Sequence, residues 1–159
     1  MSFEINDPAP LFALPSDEGS AIELSELQGQ NVVLYFYPKD DTPGCTIEAQ
    51  DFNKKLEEFE KLDCVILGVS KDGVKKHCKF IEKYGLKFNL LADEDTEVCQ
   101  QFDVLKEKSM FGKKYIGIER STFLIDKLGK ISQIWRAVKV KDHVDEVLEA
   151  VKKLEKAWF

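Results

Sequence analysis

No apolar run in this sequence exceeds the length of a strand. The longest, Val32 to Tyr37 and Cys64 to Val69, fall far short of the roughly 20 residues that a membrane-spanning helix needs. No membrane partner is expected. Basic residues are outnumbered, with 23 Lys and Arg against 29 Asp and Glu, and the net charge is −6. Nothing here offers the basic face that releases counterions from DNA or RNA, so nucleic acid is not an expected partner. The start of the chain, Met1 to Pro10, lacks both a positive n-region and an apolar h-region, and no secretion signal is read there. Internal repeats, low-complexity tracts and Pro-, Gly- or Ser-rich linkers are missing too. The chain therefore reads as a single domain over residues 1–159, large enough to bury a proper core. Finally, there is no C-x-x-C pair. The four cysteines are scattered, and neither His77, beside Cys78, nor the isolated His143 completes a metal-ligand spacing, so no metal and no organic cofactor is expected. Such cysteine usage suggests reduced thiols in the cytoplasm rather than a disulfide framework.

What is present is an alternation of strands and helices. Leu11 to Leu14 and Ala21 to Leu24, around the turn cluster Pro15-Ser16-Asp17-Glu18-Gly19, predict an N-terminal β-hairpin. The apolar strand Val32 to Tyr37 leads through a loop, Pro38 to Gly44, into a helix from about Cys45 to Lys61, with Ile47, Phe52, Leu56 and Phe59 as its apolar face. A second buried strand, Cys64 to Ser70, precedes a helix over Asp72 to Tyr84, on which Val74, His77, Cys78, Ile81 and Tyr84 share a stripe. A short strand, Asn89 to Ala92, and a short helix, Thr96 to Phe102, follow. The strands Ser121 to Asp126 and Lys130 to Trp135 pair around Lys127-Leu128-Gly129, before a final helix over Lys141 to Lys156. Uninterrupted apolar strands between helices call for an α/β fold: a central sheet covered on both faces, made mixed by the final antiparallel pair. Lys106 to Tyr115 reads as a long polar connection and a candidate pocket wall.

The most informative stretch is Thr42-Pro43-Gly44-Cys45, which puts a cysteine where a strand hands over to a helix. Unpaired N–H groups of a first helical turn, with the helix dipole, stabilise negative charge and favour thiolate over thiol. Position 42 is threonine, so this thiol works without the neighbouring partner of a redox dithiol enzyme. The opposing reading is an inert core cysteine, the commoner fate of a free thiol, against which the preceding Pro-Gly argues for exposure.

Pro38, Thr42 and Cys45 together spell P-x-x-x-T-x-x-C. This pattern resembles the active-site loop of the peroxiredoxins. Tyr35-Phe36-Tyr37-Pro38-Lys39, Cys45-Thr46-Ile47-Glu48-Ala49 and Glu119 to Asp126 are similar to the bacterioferritin comigratory protein or peroxiredoxin Q branch, and the resemblance runs from Asp7-Pro8-Ala9-Pro10 to the last helix. It implies a thioredoxin-like fold and a thiol-dependent peroxidase, in which Cys45 reduces hydrogen peroxide or an alkyl hydroperoxide to water or an alcohol. The chemistry explains the residue types. Attack of a thiolate on an O–O bond moves charge onto the departing oxygen, so the site needs donors that strengthen as that charge develops. Thr42 offers a hydroxyl, Arg120 a permanent cation with a rigid fork of donors, and the helix start its N–H groups. By resemblance, Pro38 covers the cysteine and Glu48 holds Arg120. Each residue also has a plain structural reading: Thr42 as a helix cap, Pro38 as a strand terminator, Glu48 as a carboxylate suited to a first turn, and Arg120 as a surface cation beside Glu119.

The resulting sulfenic acid has to be returned to thiol by another thiol. Many relatives carry a second cysteine five residues after the first, where this chain has Gln50. Cys78, on the following helix but about a turn earlier than usual, is the candidate resolving cysteine, set against a one-cysteine enzyme. Cys64 and Cys99 read as core. Thioredoxin is the expected reductant, with glutaredoxin or glutathione as alternatives, and the protein is expected to be a monomer or weak homodimer. Two other functions stay open: a thiol–disulfide oxidoreductase on the same fold, and a non-catalytic binding or holdase domain. Trp158 and Phe159 are candidates to cover a groove or meet another subunit.

Overall fold

The computed structural model describes residues 4–158, with the Trp158 side chain outside the description; the expectations for Met1 to Phe3 and for Trp158 and Phe159 fall outside the described residues. Strand β3 (Asn31–Phe36) is the axis of the fold. It is buried at every position and runs parallel to β4 (Cys64–Ser70) on one side and antiparallel to β8 (Ser121–Ile125) on the other. Its alternating side chains explain why it is apolar throughout. Val33 and Tyr35, with Tyr37 just beyond, point into one core, and Val32, Leu34 and Phe36 into another. β5 (Asn89–Ala92) extends the sheet beyond β4 in parallel, and β9 (Ile131–Trp135) beyond β8 antiparallel, giving the order β5-β4-β3-β8-β9. This is the mixed central sheet that the sequence predicts.

The first core is covered by α1 (Pro43–Lys54), α2 (Leu56–Glu60), α3 (Val74–Tyr84) and α5 (His143–Trp158), through Phe52, Phe59, Phe80 and Val147 among others. The second lies under the N-terminal segment and α4 (Glu97–Gln101), where Leu14, Val98 and Phe102 meet Phe36 and Phe123. The hairpin of β1 (Ala13–Pro15) and β2 (Ala21–Glu23) forms as expected, followed by a 3-10 turn over Leu24–Leu27.

Three expectations are corrected. The helix predicted from Cys45 to Lys61 starts at Pro43 and is interrupted at Lys55, whose backbone leaves the helical region (φ −100°, ψ 4°). At that end, Asn53 bonds Gly85 O (3.1 Å) and the Lys87 N–H (2.8 Å), tying α1 to the turn after α3. Ile47, assigned to the apolar face, is 51% exposed, and the inward line runs through Cys45, Glu48, Ala49 and Phe52. Lys106 to Tyr115 is not a loop but part of a second hairpin, β6 (Leu105–Met110) and β7 (Lys113–Ile118). Its two-residue turn, Phe111-Gly112, has positive φ at both positions, as tight hairpins require. Mostly exposed strands show no apolar alternation, which is why the sequence pattern hid them.

Candidate active site

Thr42 caps α1 in extended conformation (φ −93°, ψ 156°), Pro43 takes the first helical position, and Cys45 lies in the first turn. The register of the sheet brings the other half of the site. Ser121 pairs with Phe36, so Arg120 stands beside the end of β3, where the chain departs toward Cys45. Its carbonyl is held there by the Val138 N–H at 2.9 Å. The guanidinium is shared: Nη1 donates to Glu48 Oε1 at 2.7 Å and Nη2 to Cys45 Sγ at 3.5 Å. A Cβ on Gly44 would stand 3.1 Å from Nη2, so the missing side chain leaves room for the cation against the helix start.

This cluster is largely buried. Cys45 is 1% exposed, contrary to the exposure expected after Pro-Gly, because Arg120 closes over the first turn of α1. Glu48 has no exposed surface; burial pushes its carboxyl up to about 7, against the opposing pull of Arg120. Burial also works against the Arg120 cation, yet Glu48 and Cys45 hold its pKa above the usual arginine value. Glu48 Oε2 and the Tyr35 hydroxyl are buried and have no hydrogen-bond partner among the described residues. A cation between a buried carboxyl and a buried sulfur can stabilise negative charge on that sulfur and on an oxygen leaving it.

Other predicted residues sit differently. Thr42 Oγ1 donates to Lys39 O at 2.8 Å, so its hydrogen is used within the loop rather than turned toward Cys45, and the side chain makes no capping bond. Pro38 is half-buried just past the end of β3. Cys78 is exposed, not on the apolar stripe, and its sulfur donates to Asp17 O at 2.9 Å. The line of α3 that faces the sheet passes through His77 and Phe80, which turns position 78 toward the first hairpin. Asp17 is bonded to Leu90 of β5, so Cys78 is anchored at the sheet edge, whereas Cys45 packs with Tyr35 and Tyr37 over the central strand. Cys64 and Cys99 are buried.

Sequence reasoning missed three groups. His143, 4% exposed, has Nε2 2.8 Å from Thr122 Oγ1 and packs edge-on against Phe52 and Trp135; burial, aided by Arg120, pushes it down to about 4. Lys108, on β6, reaches Ile118 O at 2.5 Å, and burial together with Arg120 lowers its pKa. His77 and Asp40 form a fully buried pair at 2.6 Å. Of these only His77 lies on a periodic stripe, and spacing names none of the partners, which the fold alone brings together. Among the described residues no cluster suits a metal ion, and no helix is long and apolar enough to cross a membrane.

The chain is similar to known proteins over most of its length. A model of the AhpC/TSA family matches residues 5–134. Peroxiredoxin Bcp of Bacillus subtilis is 54% identical over 152 residues, covering 96% of this chain and 97% of that protein. A bacterioferritin comigratory protein of Xanthomonas campestris, solved in a study of its alkyl peroxide reduction activity, superposes with a TM-score of 0.87 at 49% identity, covering 91% of this chain and 92% of that one. A cysteine-to-serine variant of PrxQ from Xylella fastidiosa gives 0.91 at 43% identity, covering 96% and 98%. With its thioredoxin-like sheet and relatives of this closeness, the chain belongs to the AhpC/TSA family, in the Bcp and peroxiredoxin Q branch of the thiol peroxidases.

Proposed function

We propose that Cys45 is the thiolate that carries the peroxidase reaction. The observation that supports it best is the single guanidinium bonded to both Cys45 Sγ and Glu48. The sulfur attacks one oxygen of hydrogen peroxide or an alkyl hydroperoxide; the S–O bond forms as the O–O bond breaks. The electron pair leaves on the other oxygen, which takes a proton to become water or an alcohol, and Cys45 becomes a sulfenic acid. Arg120 stabilises the developing oxyanion, Glu48 fixes Arg120, and Pro38 with the Thr42 loop limits water around the sulfur. The alkyl hydroperoxide class is supported by the activity of the Xanthomonas relative.

Recycling needs an external dithiol of the thioredoxin type. One thiol displaces the sulfenic oxygen as water and leaves a disulfide, and a second thiol then releases Cys45. Cys78 enters this sequence only if α3 moves. A disulfide needs Cα atoms within about 7 Å, and two strand positions separate the sheet edge from the central strand, roughly 10 Å. With the Cys78 sulfur bonded to Asp17 O, direct attack by the external thiol is the simpler route. Such a cycle, in one domain with four unpaired cysteines, suits a reducing compartment such as the cytoplasm.

The test is one equivalent of peroxide added to the reduced protein, with intact masses recorded under denaturing, thiol-blocking conditions. The unmodified chain should gain an oxygen or form a disulfide, and Cys45→Ser should do neither. Loss of a hydrogen pair that disappears in Cys78→Ser would instead make Cys78 the resolving thiol. Unchanged oxidation of Cys45→Ser would refute the proposal and revive a non-catalytic domain; disulfide reduction without peroxide consumption would revive the oxidoreductase.

A further inference from the structure

The loop that leads to Cys45 is stitched to α3 by aspartates. Asp40, 3% exposed, accepts a hydrogen bond from the Tyr37 hydroxyl at 2.5 Å and places Oδ2 2.6 Å from His77 Nδ1. Its backbone N–H donates to Asp72 Oδ2 at 2.7 Å, an oxygen that also receives the Ser70 hydroxyl. Asp41 next to it accepts from the Tyr84 hydroxyl at 2.6 Å and from Lys83 at 2.9 Å. His77, with no exposed surface, turns Nε2 to Leu91 O at 2.8 Å. A carbonyl oxygen only accepts, so Nε2 carries a hydrogen, and the remaining proton of the pair lies between Nδ1 and Oδ2. Loop, α3 and β5 are thereby joined through one imidazole.

A buried ion pair is weak evidence for stability, because well-packed apolar groups in its place often do as well. What it supplies is direction: two short bonds at fixed angles, which apolar packing does not impose. Asp40 lies between Pro38 and Thr42 in the segment that sets where α1 begins. We propose that Asp40 and His77 are a positioning pair for the peroxide reaction, fixing the Pro38 to Gly44 loop on α3 so that Cys45 meets Arg120 and the O–O bond in reactive geometry. The inference rests on the peroxidase reading of Cys45. Because His77 and Cys78 are neighbours, any movement of α3 that brings Cys78 toward Cys45 also strains this pair.

The test measures oxidation of Cys45 by hydrogen peroxide in rapid-quench mass spectra, in the full chain carrying Cys78→Ser, alone and with Asp40→Asn, Asp40→Ala or His77→Ala. Asparagine can rebuild the network without charge, its oxygen accepting from Tyr37 and its amide donating to an unprotonated Nδ1. Positioning predicts that Asp40→Asn stays within about threefold of the Cys78→Ser chain while the folded alanine variants slow roughly ten- to hundredfold, the range expected for small misplacements at a reacting centre. Alanine variants that fold and react at the unaltered rate overturn the proposal. Where an alanine variant does not fold, Asp40→Glu, which keeps the charge but displaces it by one methylene, gives the reading: slower oxidation supports positioning and an unchanged rate overturns it. A Cys78→Ser chain that itself ignores peroxide refutes the peroxidase reading instead, so the two failures are distinct.

Discussion

Glu48 lies beneath Arg120 with no exposed surface, one oxygen 2.7 Å from the guanidinium and the other without a hydrogen-bond partner among the described residues. Desolvation outweighs the pull of the cation, and the carboxyl is held at about 7.

That shift has a stability consequence which His143 opposes. Glu48 in the fold keeps a proton that the unfolded chain loses above about 4.5, so its contribution falls as pH rises from about 4.5 to 7. His143, pushed from 6.5 to about 4, stays neutral in the fold while the unfolded chain is protonated, so its contribution rises from about pH 4 to 6.5. Each swing is roughly 3 kcal/mol, and they nearly cancel where the windows overlap. Urea midpoints of the unmodified chain should vary little over that overlap, those of Glu48→Gln should climb with pH, and those of His143→Gln should fall. Three parallel profiles would contradict the assignment.

Arg120→Lys keeps a positive charge but cannot hold Glu48 and Cys45 from two nitrogens of one rigid plane. The rate of Cys45 oxidation should fall about 10²- to 10³-fold, as when one oxyanion donor is lost, in a protein that still folds. Stopped-flow peroxide consumption measures it, and a fall of less than tenfold would remove Arg120 from the reaction.

The cysteines should differ sharply toward alkylation. Burial pushes the Cys64 thiol up to about 12, and burial with the neighbouring Asp93 raises Cys99 strongly, whereas Cys78 is exposed. Iodoacetamide at pH 8 should label Cys78 in the native chain and reach Cys64 and Cys99 only in urea, as peptide mass mapping would show. Native labelling of Cys64 would mean that the start of β4 opens readily.

Gly68 faces Tyr35 across the β3–β4 pair, and a Cβ there would lie 2.8 Å from both the Tyr35 ring and a Leu90 methyl. Gly68→Ala should therefore destabilise the chain by about 1–3 kcal/mol through overpacking. Urea unfolding would show it, and because Tyr35 stacks on Phe52 of α1 at 4.7 Å, the same variant should slow Cys45 oxidation. An unchanged midpoint would show that the tyrosine ring yields without cost.

Much of the frame was legible in the sequence because its signals are local. Val32 to Tyr37 reads as a buried strand from its own letters, and Thr42-Pro43-Gly44-Cys45 marks a helix start by its own chemistry. The β6–β7 hairpin was not legible, since strands open to solvent need no apolar alternation. Neither was the direction of Cys78: adjacent helical positions differ by about 100°, and only the line taken by His77 and Phe80 against the sheet decides which of them faces out.

The sequence by itself determined the order of the elements that build the central sheet and the placing of one cysteine in a first helical turn, because spacing and caps act over a few residues. Only the tertiary structure decided that Arg120, 75 positions away, stands over that sulfur. The reason is register: β8 pairs antiparallel with β3 so that Ser121 meets Phe36, and a contact made by two strands side by side leaves no mark in either strand read alone.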